Sequence, residues 1–341
     1  MRRRALLVAV ALVGLLVPAA AFAFTAGDKV KVTVDGEVVA KVDGGNLVKL
    51  SNGDYTVLPD SALAPVSTPT PDPTPDPTPG PTPEPPSGDW PGADNTGVPT
   101  GTALTTYTGP KTITAATTIN AKRISGMILV KAPLTITNSE LTGNIDADYG
   151  KPVTITDSEV RASNTSSAPA IGYSDVTLKR VEVTGAQHSV LCGANCDVQD
   201  SWLHGQGLPA GSSWHNNGFI SNGGSNVLLR HNTIQCTTSD NSNGGGCTGD
   251  VSFFGDFSQI RNVTVDGNLL KATKGGYCLA AGHNPGKPYG GNPANIVITG
   301  NVFERGSGRK CGYWGAATGY LNANGNRFTG NTWDDGAAVT P

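Results

Sequence analysis

The sequence predicts an all-β protein whose main domain is a right-handed single-stranded parallel β-helix, a solenoid of stacked coils. Three observations predict it. The chain carries 45 glycines and 24 prolines in 341 residues and few charged ones, which suits a β-rich repeat protein. No stretch of ten or more residues has helical periodicity, and the apolar segments are short and β-branched. A six-residue pattern also recurs: ITNSEL at 136, ITDSEV at 155, LKRVEV at 178, VQDSWL at 198, LRHNTI at 229, VDGNLL at 265, ITGNVF at 298 and ANGNRF at 323.

The copies of this pattern start 19, 23, 20, 31, 36, 33 and 25 residues apart. A unit of about 20 residues that lengthens by insertion is typical of a solenoid in which each unit forms one coil. Stacked at ~4.8 Å, eight such coils would form a rod of roughly 40 Å. Asparagine tolerates left-handed backbone bends, and its amides can hydrogen-bond between coils. We therefore expect a structural ladder of Asn232, Asn268, Asn301 and Asn326.

Three further segments precede the predicted β-helix domain, which spans 89–341. Residues 1–23 combine MRRR, an apolar run and a final AFA, which predicts a signal peptide cleaved after about Ala23 and a secreted, extracellular protein. The apolar run is shorter than the ~20 residues that a membrane span needs, so no membrane insertion is expected. Residues 24–64 alternate apolar and polar residues between turn signals, which predicts a small β-rich segment. Residues 65–88 form a Pro/Thr-rich linker of polyproline type.

Charge and cysteine content narrow the functional classes. The chain has 24 basic and 27 acidic residues, and loss of the three arginines of MRRR leaves 21 against 27, a net charge of −6. No basic stripe is left to neutralise phosphates, so nucleic acid is not an expected partner. In an exported protein the six cysteines predict disulfides, for which we favour Cys192–Cys196, Cys236–Cys247 and Cys278–Cys311 among the fifteen pairings that six cysteines allow.

The coil segments NVLLRHNTI, NVTVDGNLL and NIVITGNVF resemble those of secreted bacterial right-handed parallel β-helix proteins of the pectate-lyase-like superfamily. The resemblance covers about residues 100–335 and implies the same architecture. That superfamily includes polysaccharide lyases, glycoside hydrolases, and phage or surface proteins that only bind. The activity must therefore be argued from the residues of the site.

The longest insertions follow the copies at 198, 229, 265 and 298, and loops from consecutive coils would build the walls of a groove. HSVLC at 188 aligns with NGFIS at 217, which predicts His188 and Asn217 in one column on adjacent coils. VSFFGD at 251 comes next, with a register that the pattern leaves open by two residues. WHNNGF, which contains His215, has no counterpart in the other coils, whereas the histidine of LRHNTI belongs to the repeated bend.

Two mechanisms compete for this predicted groove. A lyase that acts on uronic-acid polymers needs a base, donors for the substrate carboxylate and an acid for the leaving oxygen. His215 or Lys274 could be the base, His188 and Asn217 the donors, and Tyr277 the acid. A glycoside hydrolase needs two carboxylates, for which Asp250 and Asp256 are the nearest pair. Each could instead be structural: Asp256 in a turn, Asp250 at the end of a disulfide loop, Lys274 on the surface.

Further loop residues could bind sugar or only pack. Trp214, His283, Tyr313 and Trp314 are the candidates, since an aromatic face serves both uses. Abundant Asp and Asn residues would suit Ca²⁺, although the sequence has no EF-hand loop and the metal ligands stay unknown. We therefore expect an enzyme that acts on an acidic extracellular polysaccharide, with β-elimination favoured over hydrolysis. The alternative is a noncatalytic module that binds glycan or a cell surface.

Overall fold

The computed structural model describes residues 36–42, 45–50, 55–58 and 89–341. The chain divides into two compact units, Met1–Thr78 and Pro79–Pro341. The predicted signal peptide 1–23 and the predicted linker 65–88 lie outside the described residues. The first unit contains strands β1 (Gly36–Val42), β2 (Gly45–Leu50) and β3 (Tyr55–Leu58), which pair antiparallel in this order. Most of the DGG signal and all of the NGD signal lie outside the described residues.

The second unit is built of short strands, and residues 89–341 contain no α-helix. In chain order the strands are β4 (Thr105–Thr106), β5 (Thr112–Ile113), β6 (Thr117–Asn120), β7 (Lys122–Ser125), β8 (Ile128–Val130), β9 (Leu134–Thr137), β10 (Glu140–Thr142), β11 (Ile145–Ala147), β12 (Val153–Thr156), β13 (Glu159–Arg161), β14 (Ile171–Lys179), β15 (Glu182–Thr184), β16 (His188–Gln199), β17 (Trp202–Leu203), β18 (His215–Ser221), β19 (Gly224–Arg230), β20 (Thr233–Ile234), β21 (Gly246–Phe253), β22 (Ile260–Asp266), β23 (Leu269–Leu270), β24 (Tyr277–Ala281), β25 (Ala294–Thr299), β26 (Val302–Phe303), β27 (Gly315–Thr318), β28 (Arg327–Thr329) and β29 (Thr332–Trp333).

These strands form three parallel faces of a right-handed β-helix, as predicted. The first face is β5, β8, β11, the start of β14, the start of β16, β18, β21, β24 and β27. The second face is β6, β9, β12, the end of β14, the end of β16, β19, β22, β25 and β28. The third face is the ten-stranded sheet β4, β7, β10, β13, β15, β17, β20, β23, β26 and β29. Because β14 and β16 continue from the first face into the second, these two faces form one hydrogen-bonded sheet.

The core fills the inside of the coils, and most coils bury two apolar side chains on the second face, as Val153 and Ile155 do in β12. On the second face the first residues of the repeated pattern stack in register and are almost fully buried: Ile119, Ile136, Ile155, Leu178, Val198, Leu229, Val265 and Ile298. Each buried side chain of this size contributes about 1.5–3 kcal/mol relative to exposure. The pairing of β6 with β9 also adds a coil before the first copy that the sequence revealed.

The register corrects the last copy of the pattern. Ile298 pairs with Phe328, so the final coil bends at FTGNTW, residues 328–333, and not at ANGNRF. Asn331 consequently continues the ladder, and its Oδ1 accepts hydrogen bonds from the backbone N and Nδ2 of Asn301 at 3.0 and 2.9 Å. The prediction that Asn326 belongs to the ladder was wrong, because ANGNRF imitates the bend without occupying it.

The third and fourth residues of the six-residue pattern contribute to the bend in different ways. The third residue is left-handed in successive coils: Asn138, Asp157, Arg180, Asp200, His231, Gly267, Gly300 and Gly330. We had assigned this conformation to the fourth residue, whose side chain instead accepts a hydrogen bond from the backbone N–H of the preceding coil. The accepting residues are Ser139, Ser158, Ser201, Asn232, Asn268, Asn301 and Asn331.

Val181 occupies the fourth position of its coil and has no oxygen to offer, so the ladder lacks one acceptor there. Next to this gap, Arg180 donates hydrogen bonds from Nε and Nη2 to the carboxylate of Asp157 in the preceding coil, at 2.5 and 2.7 Å. Charge-assisted bonds of this paired type are stronger than neutral ones. An ion pair therefore links these two coils where the side-chain ladder does not.

A second ladder, which the sequence analysis missed, lies on the surface between the first and second faces. The side-chain amides of Asn195, Asn226, Asn262 and Asn295 hydrogen-bond from coil to coil at 2.9, 3.3 and 3.1 Å. All four residues are left-handed, a conformation that asparagine tolerates better than most residues. Asparagine thus stabilises two corners of the β-helix, one buried and one exposed.

The three disulfides have the predicted pairing: Cys192–Cys196, Cys236–Cys247 and Cys278–Cys311. Such bonds are compatible with an extracellular protein. Within the residues that the structure describes, no helix has the length and apolar character that crossing a bilayer requires.

Candidate functional site

A groove runs across consecutive coils on the outer surface of the first face. It consists of two adjoining cavities of about 380 and 300 Å³ that share His215, Thr248 and Phe254. The first cavity also contacts Gln187, His188, Asn217, Asp256 and Lys287. The second also contacts Ser252, Tyr277, Trp314 and Thr318. His215 therefore lies where the two cavities meet.

The groove has a strand floor and two loop walls. Ile220, Ser252, Ala280 and Thr318 form one in-register column of the floor, on strands β18, β21, β24 and β27. Loops that lead into these strands from the third face form one wall, which includes Trp314. Loops that leave toward the second face form the other wall, with Asp256 and Lys287. Insertions at both corners thus enclose the groove.

His188 and Asn217 form a column on adjacent coils, as predicted, and the next position in the column is Gly249. Val251 pairs with Phe219, which settles the two-residue ambiguity in the register of VSFFGD. Asn217 Nδ2 lies 3.3 Å from the carbonyl oxygen of His215 and 3.4 Å from Nδ1 of His188. Because a carbonyl oxygen can only accept, the amide nitrogen must face both atoms.

This orientation determines the protonation of His188. Its Nδ1 accepts from Asn217, so the proton of the neutral ring is on Nε2. Only 7% of the side chain is exposed, and burial lowers its pKa to about 4. Ser252 completes the network by donating to Oδ1 of Asn217 at 2.6 Å. His188 is therefore a neutral donor that lines the groove near pH 7.

His215 begins strand β18 and is exposed. Its carbonyl oxygen accepts hydrogen bonds from the side chains of Gln187 and Asn217, at 3.2 and 3.3 Å, which fixes the backbone. Within residues 89–341, no hydrogen bond or ion pair holds its imidazole. Tyr277 and Trp314 line the same cavity. A base and a phenol are thus available on one side of the groove, and an indole ring that is 64% exposed lies beside them.

Asp256 lines the groove as an ion pair with Lys287. The two side chains are 2.7 Å apart, and the ammonium lies 5.5 Å from the centroid of the Phe254 ring. Sequence analysis missed Lys287, since it lies 31 residues from Asp256 in a loop without a recognisable motif. The pair brings one positive and one negative charge to the same wall.

The structure separates the carboxylates that we had paired for hydrolysis. Asp250 has 0% exposure, its Oδ1 accepts from the backbone N of Cys236 at 2.7 Å, and its Oδ2 is buried without a hydrogen bond. Burial raises the pKa of this carboxyl well above its usual value. It does not line the groove, whereas Asp256 does. Asp250 and Asp256 therefore cannot flank one glycosidic bond in this groove.

The remaining predicted residues lie elsewhere. Lys274 and Tyr313 line a separate cavity of about 320 Å³ behind the loop that carries Trp314. Trp214 and His283 are not among the residues that line the two cavities of the groove. Of the catalytic candidates, the structure thus brings His215, Tyr277 and Asp256 to the groove. Of the candidate binding residues, it brings His188, Asn217 and Trp314.

The side chains offer little for a metal ion. Among the described residues, Asp250, Cys278 and Cys311 are the one group of three potential ligands close enough to hold an ion. Both cysteines are in a disulfide and cannot supply thiolates. Asp256 is the sole carboxylate among the described groove residues, and Lys287 neutralises it. These residues do not fit Ca²⁺, which prefers six to eight oxygen ligands.

We compared the chain with known protein families, with curated proteins and with solved structures, and no match was found in any of the three comparisons.

Proposed function

We propose that the protein is a secreted polysaccharide lyase of the pectate-lyase-like type, which cleaves a uronic-acid polymer by β-elimination in the groove. One observation carries the proposal: an exposed, unbonded imidazole, His215, is at the junction of two cavities, with Tyr277 in one and His188 and Lys287 in the other. The predicted signal peptide and the three disulfides support secretion. The coil pattern supports the superfamily.

In this proposal neutral His215 removes the proton on the carbon next to the substrate carboxylate. The electron pair is delocalised onto the carboxylate, where His188 Nε2–H and the Lys287 ammonium stabilise the added charge. This electron pair then forms the carbon–carbon double bond as the glycosidic oxygen departs. Tyr277 gives that oxygen its phenolic proton and regains one from protonated His215 through water. The products are an unsaturated uronate and a new chain end.

Hydrolysis by a carboxylate pair receives no support from the groove, because Asp256 has no second carboxylate facing it there among the described residues. A second candidate function is binding without cleavage. The observation that favours it is the Asp256–Lys287 ion pair, because Asp256 neutralises the cation that would stabilise the developing carboxylate charge. A groove with exposed aromatic and amide groups would still bind sugar.

The test is to incubate the full chain with a set of uronic-acid polysaccharides and follow absorbance of the unsaturated uronate in the far ultraviolet. We expect His215→Ala to reduce turnover by at least about 100-fold, the usual contribution of a general base, while thermal stability stays nearly unchanged. His231→Asn is the matched control, since His231 is a scaffold residue of the coil bend and asparagine keeps its left-handed conformation.

Three outcomes contradict the lyase proposal. New reducing ends without ultraviolet absorbance would mean hydrolysis. Binding without either product would mean a noncatalytic module. A large loss of stability in His215→Ala would mean that this residue is structural and that its effect on turnover is indirect.

A further inference from the structure

A third cavity lies next to the two cavities of the groove, on the other side of the loop 304–314. We call it the basic pocket; it has a volume of about 320 Å³. Its walls come from loops that follow strands β20, β23 and β26 of the third face, at equivalent positions in three consecutive coils. The lining residues on which the inference depends are Thr237, Lys274, Arg305, Ser307 and Tyr313.

The charged residues that line the basic pocket are both cations. Lys274 is exposed and has no ion pair among the described residues. Arg305 is ion-paired with Asp335 through Nε and Nη2, at 2.7 and 3.3 Å, and among the described residues its Nη1 has no hydrogen-bond partner, so Lys274 supplies the unpaired charge. Among the described residues, no carboxylate lines the pocket. In a chain with excess acidic residues, this combination favours an anionic ligand.

Two neighbouring aromatic residues of the loop 304–314 line different cavities. Tyr313 lines the basic pocket and is 69% exposed, whereas the next residue, Trp314, lines the groove. The two rings meet edge to face with centroids 4.4 Å apart. An exposed phenol ring offers a flat apolar face of the kind on which sugar rings stack, together with a hydroxyl. The Oγ of Ser307 adds a further polar group at the rim.

Backbone hydrogen bonds and two disulfides hold the walls of the pocket. Backbone N–H groups of Tyr313 and Trp314 donate to the carbonyl oxygens of Gly275 and Gly276 at 2.9 and 2.8 Å. The disulfide Cys278–Cys311 fixes the start of the same segment. On the opposite wall, Cys236 is held by its own disulfide to Cys247. A site held in this way loses little entropy on binding.

We propose that the basic pocket is a second carbohydrate site that binds an acidic sugar unit. The anionic group, a carboxylate or a sulfate ester, bonds to Lys274 and to the free Nη1 of Arg305. The sugar ring stacks on Tyr313. The inference rests on the proposed carbohydrate ligand but not on cleavage, since the pocket has none of the groove residues His188, His215 and Tyr277.

The test uses the full chain in the His215→Ala background, so that no ligand is cut. Backbone amides of Gly308 and Gly312 report on the basic pocket by NMR, and those of Asn217 and Thr248 report on the groove. The ligands are a short oligogalacturonate, a sulfated disaccharide, a neutral cello-oligosaccharide and inorganic sulfate. We expect one or both acidic saccharides to shift the two amides, and the stronger one identifies the anionic group.

Lys274→Met should weaken this binding about tenfold, as expected for loss of a charge-assisted hydrogen bond, and Tyr313→Ala should weaken it similarly. Lys310→Met is the matched control, because Lys310 is an exposed lysine of the same loop that does not line the pocket. It should change the affinity less than about twofold.

The proposal is overturned if no acidic saccharide shifts the amides, if neutral and acidic saccharides bind equally, or if Lys310→Met and Lys274→Met have equal effects. Equal affinity for inorganic sulfate and for the sulfated saccharide would overturn the sugar part, since the pocket would then be an anion site. Because the two reporters are separate, failure here leaves the lyase proposal intact. Absence of elimination products with wild-type protein would leave this inference intact.

Discussion

The side-chain nitrogen of Asn217 lies 3.4 Å from Nδ1 of His188 on the neighbouring coil. The contact exists because the coils stack in register, so two residues that are 29 positions apart become neighbours. It keeps Nε2 of His188 protonated toward the groove while burial keeps the ring neutral. A polar side chain that would otherwise be costly to bury thereby becomes a fixed donor.

Protonation of His188 should make stability fall in mild acid. The pKa of this ring is near 6.5 when the chain is unfolded and about 4 when it is folded, so the unfolded state binds more protons between these values. The stabilising effect is fully present above pH 6.5 and is lost as the pH falls through 4. Urea unfolding should show a loss of about 3 kcal/mol by pH 4 relative to His188→Gln.

The His188→Gln variant supplies the control, because it keeps a polar side chain but cannot titrate. Identical pH dependence in the two proteins would contradict the prediction. An NMR titration that places the pKa of His188 near 6.5 in the folded protein would do so as well.

Asp250 should have the opposite effect on pH dependence. Burial raises its pKa, so the folded state keeps a proton that the unfolded state releases above about pH 4. The contribution of Asp250 to the free energy of unfolding is therefore fully present below its pKa in the unfolded chain. It is lost as the pH rises through its pKa in the folded protein. Asp250→Asn, which still accepts from Cys236, should be at least as stable as wild type above pH 7 and should lose less stability with rising pH.

Asp250→Leu is the comparison that tests the hydrogen bond. It leaves the backbone N–H of Cys236 buried without an acceptor and should cost about 1–3 kcal/mol in urea unfolding. If Asn and Leu at position 250 are equally stable at pH 7, the bond to Cys236 contributes nothing.

Removal of one buried ladder residue should be costly. Asn268 accepts from the backbone and side chain of Asn232 and donates to Asn301, each at 2.9 Å. Asn268→Ala leaves several buried groups without partners and should lower the free energy of unfolding by about 2–4 kcal/mol. On the exposed ladder, Asn262→Gly removes the side-chain amide and keeps the left-handed backbone, and it should cost less than about 1 kcal/mol, because water replaces the lost bonds. Equal losses in the two variants would contradict this account.

The disulfide Cys278–Cys311 should matter for both stability and the groove. Its cysteines are 33 residues apart, so double substitution by alanine should cost roughly 3–4 kcal/mol, against roughly 2 kcal/mol for Cys192–Cys196, which are 4 apart. The first variant should also make Trp314 more accessible to an aqueous quencher, and the second should not. Unchanged quenching in both would mean that the backbone bonds to Gly275 and Gly276 suffice to hold the loop.

The stacking of coils could be predicted because every coil must repeat the same bend. The pattern found the register of His188 on Asn217 and the core column that ends at Ile298. It failed at the last coil, where ANGNRF has the right residue types five residues too early. Composition cannot distinguish Asn331, which accepts a hydrogen bond from Asn301 in this bend, from Asn326, which accepts one from the backbone N of Ile296 elsewhere. The backbone pairing of Ile298 with Phe328 makes that distinction.

The groove was less predictable, because its walls are loops without a repeat. His215 stood out as a histidine that no other coil repeats. Lys287 had no such signal, and only the folded loop brings it to Asp256. Asp250 looked in the sequence like one carboxylate of a hydrolytic pair or the end of a disulfide loop, yet the folded chain buries it completely against the backbone N–H of Cys236. Direction of a side chain at a bulged strand such as β21 depends on a register shift that the sequence does not reveal.

The ion pair between Arg180 and Asp157 has a consequence for how the rod responds to its surroundings. Elsewhere in the buried ladder, neighbouring coils are joined by uncharged side chains that salt does not weaken. At Val181 the joint depends on two partly exposed charges, whose attraction decreases as ionic strength rises. Concentrated salt should therefore weaken this side-chain link, while the backbone pairing of β12 with β14 and of β13 with β15 still joins the two coils.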